Sequence, residues 1–215
     1  MKKNKKMNIN SKGFTLIELL AVITILGILM LVAIPNVTRT IENSRRDTFA
    51  DLAKQYVNTV RNAVLADEIK CGDISVGGTG DGYYYFRIDS AAKANYNDSN
   101  DLMENSSKSP WSSSDVAGYV AWRKSTNGEK TTTRYSILLV DNGKHGVMGG
   151  TSTSPTAIKE EDISRAKVST NTKVAALNGA AVTTSIASPN SKAATALDDG
   201  ESDTSTSSPV ACTLK

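Results

Sequence analysis

Gly13-Phe14-Thr15-Leu16-Ile17-Glu18-Leu19-Leu20 opens an apolar run that continues to Ile34 and contains one charged side chain, Glu18. At about 1.5 Å per helical residue, the roughly 21 residues from Phe14 to Ile34 extend about 31 Å, enough to cross a hydrocarbon core of about 30 Å. The stretch reads as a membrane helix. A carboxylate placed in hydrocarbon is costly, so Glu18 calls for a task.

Working outward, the residues before this run are basic. Lys2, Lys3, Lys5, Lys6 and Lys12 precede Phe14 with no acidic residue among them, and they are five of the 25 basic residues in a 215-residue chain of net charge +3. The other 20 basic side chains face 22 acidic ones, so the positive balance belongs to the leader and not to the rest. Bulk charge therefore gives no reason to expect nucleic acid as a partner. The positive-inside rule keeps the lysines in the cytoplasm and sends the chain after Ile34 outward, into a setting where disulfides persist.

A cleaved secretory signal has an apolar region of about 7 to 15 residues, shorter than this one. Leu31-Val32-Ala33 loosely resembles its cleavage site, but cutting there leaves Glu18 unexplained, as does an uncleaved signal anchor. A lipoprotein needs a cysteine at the boundary, where this chain has none. The order lysine, glycine, aromatic, glutamate, apolar helix in Lys12 to Leu20 resembles the processing site of type IV pilins and pseudopilins.

That resemblance covers Lys12 to about Pro35 and implies several things. A prepilin peptidase cuts after Gly13; Phe14 becomes an N-methylated first residue; and Glu18 takes the family's glutamate position, where the new terminus of a neighbouring subunit offsets its charge. It implies a homo-oligomeric filament with other pilins, inner-membrane assembly machinery, and a single-pass membrane precursor that later reaches the cell surface. It also implies a structural subunit of a pilus serving adhesion, motility or aggregation, or else a pseudopilin of a secretion or DNA-uptake machine. No cofactor and no enzymatic activity are expected.

Beyond Ile34, the apolar positions Val37, Ile41, Leu52, Tyr56, Val60 and Val64 recur mostly at three- or four-residue steps, and predict that the helix continues as an amphipathic half. Pro35 removes a backbone donor, which predicts a kink or local melting near Ile34, and Gly27 is a weaker point. Tyr83 to Ile88, Gly118 to Lys124 and Arg134 to Val140, with turns at Asn127-Gly128 and Asp141 to Lys144 and a short piece at Val147-Met148, predict an antiparallel sheet of about four strands. The fold expected is α+β, the type IV pilin fold, with a Ser/Thr-rich region after Gly149. Its parts are a leader over 1–13, an apolar helix over 14–35, an amphipathic half over 36–70 and a head over 71–215.

Few residues suggest chemistry. His145, the single histidine, sits among Gly143, Lys144 and Gly146 and reads as a solvated loop tip. Gly77-Gly78-Thr79-Gly80 lacks the lysine of a phosphate loop. Asp198, Asp199, Glu201 and Asp203 surround Gly200 and form a weak calcium candidate, although their spacing does not fit an EF-hand. Cys71 and Cys212 either pair, as pilins often do near their C-terminus, or remain free thiols; pairing would tie the terminal segment to the end of the helix.

Overall fold

The computed structural model describes residues 13–72, 74–75, 81–88, 108–111, 116–141, 145–150, 155–169, 189, 191, 193–197 and 208–214. It divides into two compact units, Met1–Glu42 and Asn43–Lys215. The helix α1, Leu16–Leu65, supplies the described structure of the first unit and one layer of the second.

Within the first unit α1 is helical throughout, including Pro35, so the expected melting does not occur. Nearby side chains take up backbone carbonyls: Asn36 Nδ2 donates to Val32 O at 3.4 Å and Thr38 Oγ1 to Ile34 O at 3.0 Å. Pro35 has no N–H to give to Leu31 O, and these back-bonds fall on the neighbouring carbonyls.

In the second unit the buried face of α1 runs through Phe49, Ala50, Ala53, Val57, Val60 and Ala63, with Leu52, Tyr56 and Val64 flanking it. The inward stripe is therefore rotated from the expected one, and Val37 and Ile41 lie exposed in the first unit. Alanines take the closest positions because they let the helix backbone approach the sheet, a role that periodicity of large apolar residues does not reveal.

Among the described residues the sheet has nine strands, more than the four or so expected. Its strands are β1 (Ile69–Cys71), β2 (Ile74–Ser75), β3 (Gly82–Ile88), β4 (Ala117–Asn127), β5 (Lys130–Val140), β6 (Gly146–Val147), β9 (Ile158–Lys159), β10 (Val168–Ser169) and β11 (Val210–Leu214). The order is β10-β6-β5-β4-β3-β11-β1-β2, with β9 paired to β5. A separate two-stranded piece joins β7 (Gly149–Gly150) to β8 (Pro155–Thr156) within the Ser/Thr-rich region.

Among the described residues every pairing in this sheet is antiparallel except that of β11 with β3. The last described strand thus returns to the middle of the sheet, between β3 and β1. One sheet face carries Tyr84, Val120, Trp122, Tyr135, Ile137 and Leu139 toward α1, with Tyr84 stacked on Trp122 at 5.8 Å. The other buries Tyr119, Ala121, Leu138 and Val140 with Ala157. A 3-10 turn at Ala193–Thr195 docks there: Tyr119 Oη and Ala157 N both donate to Ala194 O at 2.9 Å. The chain is an α+β arrangement, a long N-terminal helix on a mostly antiparallel sheet, matching the pilin fold.

Candidate functional site: the amino-terminal end of the helix

Gly13, Phe14 and Thr15 precede α1 in non-helical conformation, and Phe14 is 90% exposed. Thr15 is the residue that the sequence analysis missed. Its backbone N and its Oγ1 both donate to Glu18 Oε2, at 2.8 and 2.9 Å, and Glu18 N donates back to Thr15 Oγ1 at 3.3 Å. Leu19 N then closes the first turn on Thr15 O at 3.2 Å.

This is a capping box, in which threonine and a glutamate three residues on satisfy donors that a helix start leaves without partners. The Thr-x-x-Glu spacing at 15–18 signals it directly. Glu18 therefore has a partner inside its own chain. Around it the helix is apolar and bare: Leu16, Ile17, Leu19 and Leu20 are exposed, and none of the strongest apolar window is buried within the chain. By length and composition α1 is able to cross a membrane. Such a segment is suited to lipid or to the same segment of other subunits.

The remaining residues singled out in the sequence lie elsewhere. Pro35 is inside α1. Cys71 and Cys212 stand opposite each other in the β1/β11 register with Cα atoms 4.0 Å apart, at disulfide distance. Asp198, Asp199, Glu201 and Asp203 lie outside the described residues, as do Gly77 to Gly80. Among the described residues no three His, Cys, Asp or Glu side chains converge to hold a metal ion.

His145 requires correction. Instead of a solvated loop tip, its side chain is 14% exposed, places Nδ1 2.7 Å from Asp141 Oδ2 and stacks on Trp111 with ring centroids 3.9 Å apart. Asp141 also accepts from His145 N at 2.8 Å and from Ser109 Oγ at 2.8 Å. The turn residues hid a buried aspartate that organises the turn from inside. Ser109 bonds the aspartate and not the imidazole, so this contact does not form a nucleophile-base pair.

Comparison with family models finds one match, the prokaryotic N-terminal methylation motif, over residues 8–34. No curated protein and no solved structure matches the chain. The matched segment holds Gly13, the Thr15–Glu18 capping box and the apolar part of α1; with the long helix and the sheet behind it, the chain is consistent with a type IV pilin or prepilin-like protein.

Proposed function

We propose that this chain is the precursor of a type IV pilus subunit, cut after Gly13, N-methylated on Phe14 and polymerised through α1. The observation carrying this reading is an apolar helix left bare by its own chain and closed at its start by the Thr15–Glu18 capping box. Cleavage creates a cationic α-amino group at Phe14, one helical turn from the carboxylate. Both bonds from Thr15 fall on Oε2, so Oε1 is the oxygen offered to the terminus of a neighbouring subunit. In hydrocarbon an unmatched charge costs several kcal/mol, so the two charges favour the stagger at which they meet.

Before assembly the subunit sits in the cytoplasmic membrane with its N-terminus inside; afterwards its head, residues 71–215, is displayed on the cell surface. The partners are other pilins, a prepilin peptidase and the membrane assembly machinery, and the role is structural. Mass analysis of the mature N-terminus tests the processing step: methylated Phe14 is expected, and a chain still beginning at Met1, or cut near Ala33, refutes it. Immunogold electron microscopy then separates long labelled filaments, the expected result, from the short or absent ones of a pseudopilin.

A further inference from the structure

The β4–β5 hairpin outruns the sheet that carries it. β3 pairs with β4 no further than Lys124, and β9 with β5 no further than Ser136, so from Ser125 to Thr133 the hairpin has no flanking strand among the described residues. Its last pair is Asn127 with Lys130, and Gly128 and Glu129 make the exposed turn between them. We propose that Asn127 is a self-modifying site, which loses its carboxamide through a succinimide ring closed by Gly128 N.

The chemistry needs an electrophile and a nucleophile in adjoining residues. The electrophile is Asn127 Cγ, in an exposed side chain to which the described residues offer no hydrogen-bond partner. The nucleophile is Gly128 N, which lies outside the ladder and, among the described residues, donates no backbone hydrogen bond. Glycine leaves that nitrogen unshielded: its φ is +63°, and nothing stands within 4 Å of the place a Cβ would take. Ring closure is intramolecular, with the attacking group held one residue from its target. Strand conformation points the nitrogen away from Cγ, so attack waits on opening of the Asn127–Lys130 pair. That pair is the end of its ladder, and ends open most readily.

Gly128 N gives up its proton and bonds to Cγ, the Cγ–Nδ2 bond breaks, and ammonia departs with that proton. Water then opens the five-membered ring at either carbonyl. Opening at Cγ leaves aspartate, whereas opening at the backbone carbonyl leaves isoaspartate, with the main chain routed through the side chain and one carbon longer. Either product puts a carboxylate beside Glu129 where a neutral amide stood. Isoaspartate also disturbs the register that sets Thr126 Oγ1 3.2 Å from Thr131 Oγ1. The same dipeptide recurs at Asn142-Gly143 and Asn178-Gly179, outside the described residues.

The test is peptide mapping by mass spectrometry of the detergent-solubilised full chain, held folded in mildly alkaline buffer made with ordinary or heavy-oxygen water. The peptide containing Asn127 is expected to gain one dalton in ordinary water and three in heavy-oxygen water. It should also accept a labelled methyl group from S-adenosylmethionine through an isoaspartate-specific methyltransferase. Asn36, Asn58 and Asn62, inside α1 and followed by Val37, Thr59 and Ala63, should keep their amides. Asn127→Gln, whose longer side chain needs a six-membered ring, should abolish the gain at this peptide with circular dichroism unchanged.

An Asn127 that keeps its amide in the folded chain overturns the proposal. So does conversion confined to urea-unfolded chain, since the turn would then shield the nitrogen. A mass gain without methylatable isoaspartate overturns the ring route in favour of direct hydrolysis. None of these outcomes depends on N-terminal processing or filament growth.

Discussion

Asp141 holds His145 through both its side chain and its backbone. Its Oδ1 accepts the backbone N–H of His145 at 2.8 Å, its Oδ2 meets the imidazole Nδ1 at 2.7 Å, and its own backbone N donates to His145 O at 2.9 Å. Ser109 Oγ adds a further donor to the same carboxylate, and Trp111, flat against the imidazole, meets Phe49 of α1 edge-on at 5.7 Å. The cluster thus fastens the segment at 108–111 to the sheet and to the helix.

Asp141→Ala removes the shared acceptor and leaves buried donors without a partner. A loss of about 1 to 3 kcal/mol in unfolding free energy is expected, since an unsatisfied buried group costs its full desolvation. Urea denaturation followed by tryptophan fluorescence measures this directly, because Trp111 lies against the cluster. An unchanged midpoint would show that the turn stands without its aspartate.

Joining Cys71 to Cys212 closes a loop 141 residues apart in sequence. In the chain-entropy account such a link contributes on the order of 4 to 5 kcal/mol, an upper value. Reduction, or Cys212→Ser, should lower the urea midpoint and also loosen β11. With β11 displaced from between β3 and β1, the inner edge of β3 is unpaired, so aggregation should rise as well. Non-reducing electrophoresis and light scattering with and without reductant check both outcomes.

The sequence showed some of this and concealed some of it for physical reasons. Tyr83 to Ile88 and the strands around Asn127-Gly128 were legible because alternation and turn chemistry are local signals, and Gly128 has the positive φ, +63°, that the turn needs. The place of β11 was not legible, since five residues at 210–214 say nothing about pairing with β3 more than 120 positions earlier. Their alternation, with Cys212 inward and Ala211 and Thr213 outward, was nevertheless a readable strand signal. At the amino-terminal site Gly13, Phe14 and Glu18 stood out by residue type. Thr15 was overlooked although its Thr-x-x-Glu spacing was a readable signal, because the cost of Glu18 in hydrocarbon drew the reading toward a partner in another subunit and away from one three residues back.

Burial pushes the phenols of Tyr119, Tyr84 and Tyr135 above their ordinary value, with Asp81 adding to the rise at Tyr84 and Arg61 opposing it at Tyr135. A raised folded-state value means that these groups stabilise the fold fully below the unfolded tyrosine value of about 10 and cease to do so as pH climbs through the folded one. Alkaline titration by absorbance near 295 nm should therefore show Tyr84, Tyr119 and Tyr135 ionising late, with the loss of structure. Seven tyrosines ionising together near the ordinary value in folded protein would contradict the packing.

Gly118 of β4 pairs with Leu139 of β5 and has φ +148°, and a Cβ there would lie 1.9 Å from Leu138 O. That contact is with backbone, so no side-chain movement relieves it. Gly118→Ala should cost about 4 kcal/mol or more, among the large single-site effects. The expected readout is loss of the cooperative unfolding transition, whereas Gly128→Ala at the hairpin end, where no atom lies within 4 Å of the added carbon, should cost only the roughly 1 to 2 kcal/mol of its left-handed φ of +63°.

Thr15 and Glu18 make separable predictions because one caps the helix and the other also carries the charge. Thr15→Ala removes the side-chain half of the box and should cost about 1 kcal/mol of local helix stability, seen as faster amide exchange over residues 16–19 in micelles. Glu18→Gln keeps an acceptor for Thr15 but discards the charge, so the first turn should stay protected while subunit incorporation falls. Glu18→Ala should lose both protection and incorporation, with cleavage after Gly13 retained in all three variants. If Glu18→Gln assembles as well as the parent chain, the carboxylate serves the helix start alone, and the charge-pairing account of assembly is wrong.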